Sequence, residues 1–266
     1  MEPARTVDRQ SWRAGTPSSG SRSIPEETAV AVTYNGGTYA VMMATPQDLE
    51  EFALGFSLSE GVITSCADID SLDVVPLDDG VELRMWLSRP RAARLEERRR
   101  RMAGPTGCGL CGIESIAEAM RPAATIGHGR QFSPEQIMAA MESLPSRQRL
   151  NLETRAVHAA AFWNVTSGVV ALREDVGRHN ALDKLSGALA RASIVASEGI
   201  VLLTSRVSVE MVQKTAAIGA PAMVSVSAPT ALAVRMADAA GITLAAIARA
   251  DGFEVFTHPC RISYEP

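Results

Sequence analysis

The residues Cys108-Gly109-Leu110-Cys111-Gly112 set two thiols three positions apart among small neighbours, a spacing suited to sulfur chemistry. A Cys-x-x-Cys pair lowers the pKa of one thiol when its thiolate is stabilised by the neighbouring cysteine and by backbone N–H groups at a helix start. Ile113 to Met120 read as that helix, and glycines at 107, 109 and 112 let the backbone approach a large partner closely. Four uses compete for the pair. Structural zinc needs four Cys or His ligands, and no second Cys-x-x-Cys exists, although His258 and Cys260 would complete a set. A thioredoxin-like dithiol follows a strand, whereas Arg89 to Arg101 precede this pair and do not read as one. A structural disulfide does not suit a chain that shows no secretory signal. A persulfide relay is open to any accessible nucleophilic thiolate. The pair alone does not choose among the four.

The other chemistry-bearing residues fall at corners where a strand meets a helix. Arg173-Glu174-Asp175-Val176-Gly177-Arg178-His179-Asn180 crowds both charge signs and an imidazole at one corner, and we read it as functional rather than as a structural ion-pair cluster. Thr204-Ser205-Arg206-Val207-Ser208 offers hydroxyls and helix-start N–H groups that suit an anion such as pyrophosphate, against the plain reading of Ser208 as an N-cap. Ser227-Ala228-Pro229-Thr230 repeats the arrangement, with capping equally suitable. His158 and the segment Thr257-His258-Pro259-Cys260-Arg261 complete the set. Zinc deaminases use His-x-Glu followed by Pro-Cys-x-x-Cys. Here Ala160 stands where that glutamate belongs and the cysteines precede the histidine, so the pattern argues against deamination.

The elements that must position these residues read clearly in most of the chain. Residues 1–26 are rich in Ser, Arg, Gly and Pro without a hydrophobic period, and read as a disordered tail. Ala29 to Tyr34, the turn Asn35-Gly36-Gly37 and Thr38 to Met43 form a hairpin signal. Thr45-Pro46 then caps a helix to about Ser59, with Leu49, Phe52, Ala53 and Phe56 on one face. Strands near Leu72 to Pro76 and Val81 to Leu87 turn at Asp79-Gly80, and the arginine-rich run from 89 to 101 reads as a solvated helix. Ser133-Pro134-Glu135 opens another capped helix. Beyond residue 146, strands at Ala159 to Val165, Val169 to Arg173, Gly199 to Thr204, Ala222 to Ser227 and Thr243 to Ala248 alternate with helices at His179 to Arg191, Ser208 to Ile218 and Thr230 to Ala240. Such alternation predicts a largely parallel sheet with helices on both faces and ligands at the carboxyl ends of its strands. The expected organisation is a tail (1–26), an α+β region carrying the cysteines (27–145) and an α/β region (146–266).

Composition sets broader bounds. A chain of 266 residues, 46% of them hydrophobic, has ample material for a packed core. No run approaches the roughly 20 apolar residues of a membrane span, so a cytoplasmic location without membrane contact is expected. A net charge of −4 argues against general nucleic-acid binding. Lysine occurs only at 184 and 214, with arginine supplying the other cationic side chains.

Taken together, Cys108-Gly-Leu-Cys111-Gly, His158-Ala-Ala-Ala161, the run Arg173 to Lys184, Ser208 to Lys214, Ser227 to Val234 and Thr257-His-Pro259 resemble the FdhD family over about residues 27–262. The resemblance implies a cytidine-deaminase-like α/β/α sandwich that has lost deaminase zinc chemistry, with no metal ligands of its own. It implies a sulfurtransferase that takes sulfur as a persulfide from a cysteine desulfurase. The sulfur then passes to the molybdenum bis(molybdopterin guanine dinucleotide) cofactor, bound transiently as substrate before it enters formate dehydrogenase. On the same footing Cys108 matches the persulfide-bearing cysteine, Cys111 a second one, and Ile247-Ala248-Arg249-Ala250-Asp251-Gly252 the cofactor-binding stretch. Relatives often begin that stretch with Phe and end it with a basic residue, so Arg249 stands in for the anion contact here. Arg178, His179, Arg206 and Ser208 are expected to meet the cofactor as well, in a homodimer. A cofactor chaperone whose cysteines are structural or bind zinc, and a dithiol oxidoreductase, are the alternatives.

Overall fold

The structure, a computed structural model, describes residues 1–102, 120–127 and 129–264, with backbone alone for 98–102. Cys108, Cys111 and most of the helix expected from Ile113 lie outside the described residues. Two sheets with a helical layer between them make up the body. The smaller has strand order β4-β3-β6-β5, from β3 (Thr28–Tyr34), β4 (Gly37–Ala44), β5 (Ile69–Leu77) and β6 (Gly80–Leu87). Asn35 and Gly36 both take positive φ, 51° and 79°, the turn that matches the right-handed twist of a β3–β4 hairpin. The sheet buries Val30, Val32, Tyr34, Leu83 and Met85 against Phe52, Ala53 and Phe56 of α1 (Leu49–Ser59), and α2 (Arg89–Met102) adds Leu95 to the same core. Helix α1 starts at Asp48 rather than at the Thr45-Pro46 expected from sequence, because Thr45 is engaged elsewhere, as described below.

The larger sheet has the order β12-β11-β10-β9-β7-β8. Its strands are β7 (His158–Asn164), β8 (Gly168–Asp175), β9 (Gly199–Leu203), β10 (Ala222–Ser225), β11 (Thr243–Arg249) and β12 (Gly252–Val255). Only β9, β10 and β11 pair in parallel, so the sheet is mixed, not largely parallel. The cause is local: short connections join β7 to β8 and β11 to β12, and such connections can only return the chain antiparallel. One face carries α5 (Arg178–Arg191), α6 (Val209–Ile218) and α7 (Ala231–Ala240) over a core of Leu182, Leu185, Val201, Leu203, Met211 and Met223. The other is covered by α3 (Pro134–Glu142), whose Ile137, Ala140 and Met141 meet Trp163, Ile200 and Leu202. The α/β/α sandwich expected from sequence is thus present. Helix α3 belongs to it, so this half begins before residue 146. Among the described residues no helix is long and apolar enough to cross a membrane.

Residues 1–26 are not a tail. The strands β1 (Ala4–Arg13) and β2 (Thr16–Pro25) pair antiparallel from Ala4 opposite Pro25 to Arg13 opposite Thr16, around a turn in which Ala14 and Gly15 take φ of 49° and 82°. Neither strand buries a face, so no hydrophobic period marks them; the ladder and the turn hold the ribbon. Its base rests on α4 (Arg149–Thr154), where Arg22 donates to the Thr154 carbonyl at 3.1 Å and Ser23 to the Glu153 carboxylate.

The two halves meet where α1 crosses α5, through two glycines. A Cβ on Gly55 would fall 1.7 Å from the Asp183 carbonyl oxygen, and one on Gly187 would fall 1.9 Å from that of Glu51. Both helices must therefore be bare at the crossing. Beside it, Asp175 and Lys184, each with a fully buried side chain, pair at 2.6 Å. The Asp175 carboxylate also accepts from the Thr45 N–H (3.0 Å), the Gly177 N–H (2.7 Å) and Asn180 Nδ2 (3.0 Å). Lys184 Nζ donates to the Thr45 carbonyl at 2.8 Å, and Thr45 Oγ1 accepts from the Val176 N–H at 3.1 Å. Thr45 is thus consumed in joining the halves. Gly187→Ala is expected to lower unfolding free energy by about 1–3 kcal/mol through overpacking, measured as a shift in urea midpoint. Lys184→Met should cost about 3–5 kcal/mol by stranding a buried carboxylate, and adding Asp175→Asn should recover part of that loss. An equal loss in the double variant would show that the pairing is not the source.

Candidate functional site

Strand direction gathers the candidate residues along one edge of the larger sheet. Strands β8, β9, β10 and β11 all end there, and the antiparallel β7 starts there with His158. Neighbouring loops are stitched together. The Val226 N–H donates to the Leu203 carbonyl (3.2 Å), that of Val207 to Ala228 (3.3 Å) and that of Thr230 to Val207 (2.9 Å), and Ser225 Oγ donates to the Ser205 carbonyl. Thr204 Oγ1 accepts from the Ala159 N–H at 2.8 Å, which fixes the corner against β7.

Most of the polar run Arg173 to Lys184 proves structural. Arg173 pairs with Glu51 of α1, and Glu174 accepts the Leu150 and Asn151 N–H groups of α4, each at 2.8 Å. Asn180 Nδ2 donates to the Met43 carbonyl at 2.8 Å, and Asp183 pairs with Lys214 at 2.7 Å. The residues left over are Arg178 and His179. Among the described residues, three buried side-chain polar atoms have no hydrogen-bond partner: Arg178 Nε, His179 Nε2 and Ser208 Oγ. All three belong to residues that sequence reading assigned to the ligand. The starts of α5 at Gly177 and α6 at Ser208 carry no side-chain cap, whereas Thr230 caps α7 by accepting from the Ala233 N–H at 3.2 Å. Unspent donors beside two uncapped helix starts suit an anionic group, phosphate above all.

His179 Nε2 lies 3.8 Å from a Glu210 carboxylate oxygen, too far for a hydrogen bond. Burial, then the neighbouring Arg178 and Lys214 cations, hold the His179 pKa below its ordinary value. His158 is lowered likewise by burial and then by Arg178, so the one guanidinium bears on both imidazoles. Arg206 is exposed at the β9 corner.

The stretch Ile247 to Gly252 makes the bulged return from β11 to β12. Ile247 takes φ of 53°, a left-handed conformation that a β-branched residue adopts only under strain, and its N–H donates to the Ser227 carbonyl at 3.4 Å. Ala248 is buried while Arg249, Ala250 and Asp251 are exposed. Strand β11 brings this segment to the same sheet edge as Ser208, and the kink that projects Arg249 became visible only in three dimensions.

Sequence reading missed the cavity of about 310 Å³ behind this corner, lined among others by Ser59, Arg121, His179, Asp183, Glu210 and Lys214. Ser59 Oγ donates to Asp183 at 2.6 Å, and Arg121 donates to the Ser59 carbonyl at 2.9 Å. Gln213 Nε2 donates to the Arg121 carbonyl at 2.7 Å, so the chain is pinned to the cavity wall ten residues after Cys111. The available signal was the scarcity of lysine: the two in the chain are the two buried partners of Asp175 and Asp183.

Both histidines bind protons less readily folded than unfolded, where the value is about 6.5. As pH falls through that value the unfolded chain takes up more protons, and stability drops. The thermal midpoint is expected to fall between about pH 7.5 and 5.5, and His179→Gln to flatten the fall. An equally steep fall in a His158→Gln/His179→Gln variant would assign it to other groups.

The sequence profile of the FdhD/NarQ family matches residues 25–263. The sulfur carrier protein FdhD of Agrobacterium fabrum is 52% identical over 97% of this chain and 96% of its own length. That of Cupriavidus necator is 49% identical over 96% and 88%. A crystallised chain from Desulfotalea psychrophila, described as a formate dehydrogenase accessory protein, shares the fold at a TM-score of 0.79 and 24% identity, covering 98% of this chain and all of that one. From a corner of unspent donors through to a match over nearly its whole length, this chain belongs to the FdhD/NarQ family.

Proposed function

We propose that the chain is a cytoplasmic sulfur carrier that supplies the molybdenum bis(molybdopterin guanine dinucleotide) cofactor with sulfur before the cofactor enters formate dehydrogenase. The observation that carries the cofactor half is the gathering of Arg178 Nε, His179 Nε2 and Ser208 Oγ, buried and unpartnered, at two uncapped helix starts. Groups so placed are costly unless a ligand satisfies them, and diphosphate oxygens supply the acceptors that Arg178 and Ser208 lack. The exposed Arg206, in the loop after β9, and Arg249, at the end of β11, extend the cationic edge away from Arg178 toward β11. The sulfur half is supported by relatives of about half identity that bear the name sulfur carrier, together with the spacing of Cys108 and Cys111.

In the proposed reaction the Cys108 thiolate attacks the terminal sulfur of a persulfide on a cysteine desulfurase. The new S–S bond forms on Cys108 as the old one breaks, and the desulfurase cysteine leaves as thiolate. The terminal sulfur then passes to the metal, which takes it up as sulfide by giving two electrons, and Cys108 returns as thiolate. A thiol with a pKa near ambient pH serves best as the attacking group. The corner residues hold the cofactor phosphates while this occurs.

The two halves separate by mutation. Formate dehydrogenase produced together with Cys108→Ala should remain inactive although that variant still binds a guanine nucleoside diphosphate. Arg178→Ala should still accept labelled sulfur but bind the nucleotide roughly 10- to 100-fold more weakly, the range for losing a charged hydrogen bond. Full activation by Cys108→Ala would leave the chain a cofactor chaperone without sulfur chemistry.

A further inference from the structure

The cavity of about 310 Å³ behind the phosphate corner differs from that corner in charge. Arg121 and Lys214 line it against Glu60, Asp183 and Glu210, two cations against three carboxylates, and burial keeps His179 neutral among them. Phosphate is thus disfavoured inside the cavity and favoured at the corner, where Arg178 and two uncapped helix starts lie. Several polar groups of the lining are spent within the chain. Lys214 pairs with Asp183, which also accepts from Ser59 Oγ, and Asn180 Nδ2 donates to the Met43 carbonyl. His179 Nε2 has no partner, and a Glu210 carboxylate oxygen stands 3.8 Å from it. A nitrogen and a carboxylate therefore lie side by side, neither bonded to the other. Met42 and Phe56 give the same cavity an apolar wall. Its volume is at the lower end of the small-molecule range, room for a flat fused ring and not for a whole nucleotide.

Chain neighbours tie the cavity to the corner. His179 follows Arg178 in the first turn of α5, and Glu210 comes two residues after Ser208 in the first turn of α6, where the helix favours an ionised carboxylate. A ring held in the cavity then belongs to the same molecule as a diphosphate held at the corner. An ionised carboxylate accepts from two N–H groups at once, and a neutral imidazole with its proton on Nε2 donates to a carbonyl. An amine, a ring N–H and a carbonyl in a row form the edge of an aminopyrimidinone. Adenine instead sets an unprotonated ring nitrogen beside its amine, and the carboxylate repels that nitrogen.

We propose, on the reading of the corner as a diphosphate site, that the cavity takes the aminopyrimidinone edge of the same ligand, with Glu210 accepting from the amine and ring N–H and His179 Nε2–H donating to the ring carbonyl. Guanine and pterin share this edge, and the test distinguishes them. Titration calorimetry of the full chain compares GDP, hydroxymethylpterin diphosphate, ADP and inorganic pyrophosphate. The parent should bind at least one of the two aminopyrimidinone compounds roughly 10-fold or more tightly than ADP. Glu210→Gln should remove that preference and leave pyrophosphate affinity unchanged. Lost affinity for GDP would put the nucleotide end of the ligand in the cavity, and lost affinity for hydroxymethylpterin diphosphate the pterin end; either result supports the assignment. ADP bound by the parent as tightly as both, or a preference that persists in Glu210→Gln, overturns it and leaves the corner standing. Pyrophosphate affinity unchanged by Arg178→Ala would instead remove the diphosphate site, and the cavity assignment with it.

Discussion

The buried contact between Asp175 and Lys184 is the constraint on which the site depends. At 2.6 Å and without exposure, each charge is satisfied by the other and by the backbone of Thr45, Gly177 and the Asn180 amide. One element of that set comes from the smaller sheet, at the end of β4, and the rest from the end of β8 and the start of α5. The contact therefore registers two halves that otherwise meet mainly through the close crossing of α1 and α5. A buried ion pair contributes little net stability compared with apolar residues of the same shape, but losing one partner is costly. Its value here is positional: it sets where α5 begins, and Arg178 and His179 are the first residues of that helix.

The second lysine repeats the device one layer on. Lys214 of α6 pairs with Asp183 of α5, and Ser59 of α1 donates to the same carboxylate. In a chain that uses arginine for every other cationic side chain, lysine persists at the two places where the cation is enclosed between helices. A compact ammonium fits there and turns its donors onto Asp175 and the Thr45 carbonyl at Lys184 and onto both Asp183 oxygens at Lys214, whereas a planar guanidinium needs a flat, wider space. What reads in sequence as a compositional bias is, at these two positions, a packing requirement. Arginine remains where a broad, exposed donor face is useful, at the sheet edge and along the ribbon.

Much of this fold was legible in the sequence because its strands and helices carry their own punctuation. Asn35-Gly36 fixed one hairpin, Ser133-Pro134 one helix start, and the alternation after residue 158 the larger sheet. Three things were not legible. The ribbon of residues 4–25 buries no face, so it lacks the alternation by which strands are recognised. The antiparallel strands β7 and β12 hid inside an α/β pattern because direction depends on connection length and not on side chains. The run Arg173 to Asn180 looked uniformly functional, yet Arg173, Glu174, Asp175 and Asn180 are spent on internal partners that lie 23 to 137 residues away in either direction or a few residues on. Only the tertiary accounting of donors and acceptors singles out Arg178 and His179 as the pair left for a ligand.

The central claim joins this donor-rich corner to a thiol that carries sulfur. Intact-mass spectrometry of the purified protein, after incubation with a cysteine desulfurase and cysteine, addresses it most directly when the parent is compared with Cys108→Ala and Cys111→Ala. The account predicts a gain of one sulfur atom in the parent and in Cys111→Ala, and none in Cys108→Ala. A gain that survives in Cys108→Ala, or no gain in any form, would contradict it.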